Sequence, residues 1–163
     1  MDEQDVLTLV TELGVALKAQ NLMLALAESC TGGMAAEAVT SVAGSSTWFE
    51  RGFVTYSNVS KTEMLGVSTE TITTFGAVSE ETAREMALGA LKHSHADVAI
   101  SITGIAGPDG GTPEKPVGTV CFAWARKNHP ISSTTNKISG DRREIRHQST
   151  ATALGGLLKL LVN

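Results

Sequence analysis

The residues Leu22-Met23-Leu24-Ala25-Leu26-Ala27-Glu28-Ser29-Cys30-Thr31-Gly32-Gly33-Met34-Ala35-Ala36-Glu37-Ala38-Val39 carry a strand, a tight turn and a helix in direct succession. The run 22–27 is apolar without alternation, the signature of a short strand covered on both faces. It ends in polar Glu28 and Ser29. After Thr31-Gly32-Gly33, the residues Met34, Ala35, Ala38, Val39 and Val42 return at helical spacing. A strand buried on both faces needs helices above and below it, so this segment reads as half of an α/β unit.

The flanking sequence extends the same plan. Val6, Leu9, Val10, Leu13 and Leu17 form one face of an N-terminal helix with acids at its start. Residues 53–56 read as a second strand, followed by a short helix that carries Lys61, Met64 and Leu65 and is capped by Asn58. Ser79 caps a further helix with Glu80 and Glu81 in its first turn and Ala83, Met86, Ala87, Ala90 and Leu91 on one face. Val98, Ile100 and Ile102 alternate with smaller residues in a third strand, which runs into Gly104-Ile105-Ala106-Gly107-Pro108-Asp109-Gly110-Gly111. Strands at 117–125 and 131–138 read as an antiparallel hairpin. Asp141 and Glu144 have capping-box spacing ahead of a long terminal helix lined by Ile145, Ala151, Leu154, Leu158 and Leu161. The expected fold is a single three-layer α/β/α domain over residues 1–163 with a mixed, mostly parallel sheet. Open sheets of this kind bind ligands beyond the carboxyl ends of their strands.

Composition narrows the function. The 163 residues are 42% hydrophobic and 18% charged, enough for one core but not two. A net charge of -4 gives no overall field for nucleic acid. Two cysteines, Cys30 and Cys121, support neither a disulfide framework nor a four-cysteine zinc site, and the four histidines do not supply missing ligands. With an acidic N-terminus and no apolar run near the ~20 residues that span a bilayer, the cytoplasm is the expected compartment.

Three polar features surround the expected crevice: the segment from Glu28 to Gly33, the loop from Thr103 through Gly104 to Gly107, and Gly140-Asp141-Arg142-Arg143. Ser29, Thr31, Gly32 and Gly33 have the composition of an anion cradle at a helix start, and equally that of a plain turn with a hydroxyl cap. Arg142 and Arg143 occupy a first helical turn that disfavours cations, which points to an anion site for Arg142. Arg146 reads as part of a solvated face. The hydroxyl and thiol candidates for nucleophile are Ser29, Cys30, Ser45, Ser46 and Ser101. Lys61 is the mid-chain lysine beside a polar loop, and no histidine has a triad setting, so a serine with a neutral lysine base is the workable pair.

Seven motifs in fixed order add a resemblance. They are Ala27-Glu28-Ser29-Cys30-Thr31-Gly32-Gly33, Ala43-Gly44-Ser45-Ser46, Gly52-Phe53-Val54-Thr55-Tyr56-Ser57-Asn58 with Lys61, and Gly76-Ala77-Val78-Ser79, then the Gly104–Gly111 loop, Lys115-Pro116-Val117-Gly118-Thr119-Val120 and Gly140-Asp141-Arg142. Over nearly its whole length the chain resembles the CinA C-terminal domain family, in the form that lacks the N-terminal domain of longer competence/damage-inducible proteins. The resemblance implies hydrolysis of the carboxamide of nicotinamide mononucleotide to nicotinate mononucleotide and ammonia, with no metal or cofactor. It carries the nucleophile onto Ser46, with Ser29 as the competing hydroxyl, and the general base onto Lys61. Tyr56 becomes a proton relay or lysine-fixing group. Glu28, Ser29, Thr31, Gly32, Gly33, Ser45, Thr103, Gly104, Gly107 and Arg142 become the substrate-binding set, with Arg143 competing for the arginine role. A homodimer is implied, with Trp48 and Phe49 either at its interface or in the core. The alternative function is a catalytically silent nucleotide-binding or competence-related interaction domain.

Overall fold

The computed structural model describes residues 2–162. A five-stranded sheet in the order β2-β1-β3-β4-β5 separates two helical layers. Its strands are β1 (Leu24–Glu28), β2 (Phe49–Val54), β3 (Val98–Gly104), β4 (Thr119–Arg126) and β5 (Ser132–Lys137). β1 pairs in parallel with β2 and β3, while β4 runs antiparallel to β3 and to β5, so four strands share one direction. The helices are α1 (Glu3–Ala19), α2 (Met34–Thr40), α3 (Asn58–Leu65), α4 (Thr69–Phe75), α5 (Glu80–Lys92) and α6 (Arg142–Val162). The expected single α/β/α domain is therefore what the chain builds.

Alternation along the strands assigns each face. Leu24 and Leu26 of β1 with Val98, Ile100 and Ile102 of β3 pack under α1, α2 and α6, together with Val10, Leu13, Val39 and Leu154. Ala25, Ala27 and Ala99 face α3 and α5, and Ala123 faces α5 farther along the sheet. Small residues on that second face let α5 lie close. Its own Gly89 packs so tightly that a Cβ there would lie 2.0 Å from the Leu65 carbonyl oxygen.

Several boundaries depart from the sequence reading. β2 begins at Phe49 because an edge strand tolerates the polar pair Glu50–Arg51 (2.7 Å), which hides it from an apolar search. The cap of α3 is Ser57, whose Oγ accepts from the Ser60 N–H at 3.1 Å, and Asn58 is already the first helical residue. α4 was not expected: Thr-Glu-Thr-Ile-Thr-Thr-Phe has weak helix propensity and no buried residue. Trp48 belongs to the core at 2% exposure and packs on Gly14 of α1, where a Cβ would meet its indole nitrogen at 2.7 Å. Phe49 packs partly buried against the same cluster, so the exposed aromatic interface does not form. Asp141 and Glu144 make the expected capping box, with reciprocal bonds of 3.0 and 2.8 Å.

Candidate active site

β1 and β3 end side by side, and Ser29 follows Glu28 with its N–H on the Ile102 carbonyl at 3.0 Å. Alternation places Ser29 on the α3/α5 side with Ala25 and Ala27, and Glu28 on the opposite side with Leu24 and Leu26. α3 lies over Ser29. Its cap at Ser57 sets the phase that turns Lys61 and Leu65, one helical turn apart, toward the sheet. Lys61 is 1% exposed, among the largest fully buried side chains of the described residues.

Three oxygens surround the Lys61 Nζ: Ser29 Oγ at 3.0 Å, the Thr55 carbonyl at 2.9 Å and the Tyr56 carbonyl at 3.2 Å. None belongs to a carboxylate. Burial pulls the lysine pKa below its ordinary value, opposed only weakly by Cys30. A neutral amine has two N–H donors and one lone pair, and both carbonyls can only accept. Nζ donates to all three oxygens, and the Ser29 hydroxyl reaches the Tyr56 carbonyl at 3.5 Å. On losing its proton the amine would keep its two donors for the Thr55 and Tyr56 carbonyls and turn its lone pair to the Ser29 hydroxyl, the form in which an amine removes a serine proton.

A cavity of about 240 Å³ opens onto the pair, bordered by Tyr56, Asn58, Val78, Thr103, Gly104 and Arg142. Arg142 spans its mouth, donating to the Gly107 carbonyl at 2.7 Å and the Tyr56 phenol oxygen at 3.3 Å. Tyr56 thus accepts from a cation and keeps its own proton to donate. Thr103 spends its hydroxyl proton on the Ala77 carbonyl at 2.8 Å, which pins the Ala77–Val78 wall. Gly107 has φ +79° and a Cβ there would strike Val117 at 2.4 Å, so this turn toward Arg142 requires glycine.

The segment from Glu28 to Gly33 is not an empty cradle. Glu28 Oε1 accepts from the Thr31 hydroxyl at 2.6 Å, the Gly33 N–H at 3.2 Å and the Ala35 N–H at 3.0 Å, and Oε2 accepts from the Ala36 N–H at 2.9 Å. The Gly32 N–H goes to the Ser29 carbonyl at 3.0 Å. The anion at the start of α2 is the chain's own carboxylate, so Glu28, Thr31, Gly32 and Gly33 hold the turn instead of a substrate. Arg146 is the second anchor, donating to the Cys30 carbonyl at 3.1 Å and the Thr31 carbonyl at 3.0 Å. It is half-buried and structural, not a solvated face. Burial pushes the Cys30 thiol up to about 12, which removes it as a nucleophile.

Ser46 lies elsewhere. It is exposed in the 3₁₀ turn Ser45–Thr47 that precedes β2, and the Trp48 carbonyl just after it bonds the N–H of Leu24 at 2.8 Å. That is the amino end of β1, whereas Ser29 follows its carboxyl end, five residues or about 16 Å away. Ser46 therefore cannot meet Lys61, and Ser45, buried in the same turn, is equally remote. Ser101 is buried under α5 with its hydroxyl on the Ala83 carbonyl. Arg143 pairs loosely with Glu3 at 3.7 Å, away from the cavity. No group of three or more His, Cys, Asp or Glu side chains among the described residues could hold a metal ion. The sequence reading missed Asn58, Val78 and the clamp made by Arg146. Asn58 and Val78 each lay in a quoted motif, Gly52–Asn58 and Gly76–Ser79, without a site role.

Known proteins share the sequence pattern and the fold of this chain. The sequence pattern of the CinA C-terminal domain matches residues 6–161. The nicotinamide-nucleotide amidohydrolase PncC of Enterobacter agglomerans is 52% identical over 159 residues, covering 98% of this chain and 97% of that protein. A CinA-like protein of Citrifermentans bemidjiense is 51% identical over 150 residues, 92% of this chain but 36% of its own length. The crystal structure of the competence/damage inducible protein CihA from Agrobacterium tumefaciens superposes with a TM-score of 0.94 at 47% identity, covering 98% of this chain and 96% of that one.

Proposed function

The chain belongs to the CinA C-terminal domain family, and from that premise we propose that it is a nicotinamide-nucleotide amidohydrolase, converting nicotinamide mononucleotide to nicotinate mononucleotide and ammonia in pyridine-nucleotide salvage. Relatives at about this similarity along their full length carry that name. The observation that carries the mechanism is the contact of 3.0 Å between the Lys61 amine and the Ser29 hydroxyl.

Ser29 Oγ attacks the carboxamide carbon as its proton passes to Lys61 Nζ, whose resulting ammonium is held by the Thr55 and Tyr56 carbonyls. The tetrahedral intermediate collapses when that proton moves to the departing nitrogen, which leaves as ammonia. Water then attacks the acyl-serine with Lys61 again as base, releasing the carboxylate and restoring the hydroxyl. Tyr56, its phenol oxygen engaged by Arg142, donates to the developing oxyanion or the leaving nitrogen. Arg142 has five N–H donors, so the bonds to Gly107 and Tyr56 leave others for the nucleotide's ribose. A cytoplasmic location and a homodimer complete this reading. Two buried free cysteines suit a reducing compartment, and no helix among the described residues is long and apolar enough to cross a membrane.

The test is ammonia release from nicotinamide mononucleotide by the metal-free protein and by Ser29→Ala, Lys61→Ala and Ser46→Ala. The first two variants should lose turnover by a factor of about 10³ or more, and Ser46→Ala should keep it. Loss in Ser46→Ala with retention in Ser29→Ala would refute the dyad. A wild type that stays folded and releases no ammonia would favour the silent nucleotide-binding domain.

A further inference from the structure

The cavity over the dyad is small for a whole nucleotide. At about 240 Å³ it falls below the roughly 300–1,000 Å³ of sites that enclose a drug-sized ligand. A larger cavity of about 720 Å³ adjoins it, and Val78 borders both. The sheet register relates the two. Thr103 pairs with Cys121 of β4, Cys121 pairs with Thr135 of β5, and Thr119, on the same face of β4, pairs with Lys137. At about 4.8 Å per strand, the strand of Lys137 lies roughly 10 Å from that of Thr103.

Two lysines line this second cavity. Lys115 belongs to the Lys115-Pro116-Val117-Gly118 motif, to which the dyad chemistry assigns no role, and its Nζ donates to the Phe75 carbonyl at 2.6 Å. Lys137 Nζ donates to the Thr119 hydroxyl at 3.1 Å. Both partners are neutral. Neither lysine has a carboxylate within 4 Å among the described residues. Arg84 and the carboxylates of Glu80, Glu81 and Glu114 line the same cavity; Glu80 accepts from the Ser133 and Thr135 hydroxyls at 2.8 Å each, and Arg84 donates to Ser133 at 2.7 Å.

We propose that this cavity is the distal half of the substrate site, in which Lys115 and Lys137 hold the 5′-phosphate of a mononucleotide whose carboxamide lies at Ser29. This rests on the amidohydrolase reading. Nine bonds join the carboxamide carbon of such a nucleotide to its phosphorus, roughly 10 Å end to end; Ser29 extends β1, two strands from β4, where the Lys137 Nζ meets the Thr119 hydroxyl, again a lateral step of roughly 10 Å. The pyridine ring lies over Ser29 and Thr103, the ribose crosses apolar Val78, and the phosphate reaches the two ammonium groups. Charge-assisted bonds there favour the nucleotide over its dephosphorylated riboside. Arg142, already tied to Gly107 and Tyr56, serves the ribose at the mouth.

The experiment compares kcat and KM for ammonia release from nicotinamide mononucleotide and nicotinamide riboside, using wild type, Lys137→Ala, Lys115→Gln and Arg142→Ala. Each lysine variant should raise the nucleotide KM about tenfold or more with a much smaller change in kcat. The nucleotide-to-riboside ratio of kcat/KM should shrink in step. Because Lys115 also holds Phe75, Lys137→Ala decides the matter where Lys115→Gln disturbs the loop. An unchanged ratio in Lys137→Ala overturns the proposal, and so does a ratio that collapses only in Arg142→Ala, which would put the phosphate at the mouth. A wild type that releases ammonia from neither compound overturns the amidohydrolase reading itself, a result no lysine variant can mimic.

Discussion

Replacing Glu28 by Gln exchanges one oxygen for an NH₂ group at almost constant volume, in a site where all four partners are donors. Oε1 serves Thr31 Oγ1, Gly33 N and Ala35 N, and Oε2 serves Ala36 N. A carboxylate only accepts, whereas a glutamine must turn its NH₂ toward one side or the other. The less damaging choice keeps the three-donor side and faces NH₂ against the Ala36 N–H. One hydrogen bond to a charged acceptor is lost, about 1.5–3 kcal/mol, and the other three weaken because the acceptor is now neutral. Release of the buried charge offsets part of this, and α2, with seven residues, adds little dipole energy. A net loss of about 3 kcal/mol lowers the melting temperature by about 6–12 °C for a chain of this size. Calorimetry of wild type and variant measures it, with ammonia release assayed well below both midpoints. Since the turn carries Ser29, the folded variant should also turn over more slowly. A midpoint within about 2 °C of wild type would show that the carboxylate is not what holds the turn.

Other outcomes follow from the same contacts. The Lys61 pKa is lowered by burial, so the folded protein binds fewer protons than the unfolded chain between that lowered value and about 10.4. Stability should therefore rise with pH across this window, and Lys61→Met should abolish that slope in denaturant titrations. kcat/KM should rise with pH through the same lowered value, while Lys61→Arg, which cannot release its proton, should be inactive at every pH tested. Arg146→Lys keeps the charge but not the fork on the Cys30 and Thr31 carbonyls. It should lower kcat more than it raises KM, and an unchanged kcat would remove Arg146 from the support of Ser29. Cys30, buried with its thiol pushed up to about 12, should resist alkylation in the native protein and react only on unfolding, as mass spectrometry of the intact chain would show.

The fold was legible where burial and periodicity agree. The apolar run before Glu28, the stripe of α5 and the capping box at Asp141 all carried strong local signals. β2 and α4 did not, because Glu50–Arg51 sits on an edge strand and the threonines of α4 bury nothing. At the site, residue types were legible and partners were not. A serine–lysine pair followed from the absence of a histidine triad. Which serine depended on the parallel pairing of β1 with β2, which sends Ser46 to one end of the sheet and Ser29 to the other. Arg146 looked solvated because helical spacing says nothing about a turn 115 residues earlier in the chain.

Glu28 and Ser29 show why neighbouring residues in one motif need not share a task. Strand alternation turns them to opposite faces of the sheet, so one peptide unit separates two different environments. Below the sheet, the Glu28 carboxylate collects donors from Thr31 to Ala36 and fixes the turn that leads into α2. Above it, Ser29 meets an amine whose pKa burial lowers, with no carboxylate among its partners to raise it again. The separation is chemically necessary. A carboxylate on the Lys61 side would stabilise the ammonium and fill the base's lone pair with a proton. Shifting the register of β1 by one residue would exchange the two side chains. It would put the carboxylate beside Lys61 and the serine at the start of α2, losing the base and the anchor together.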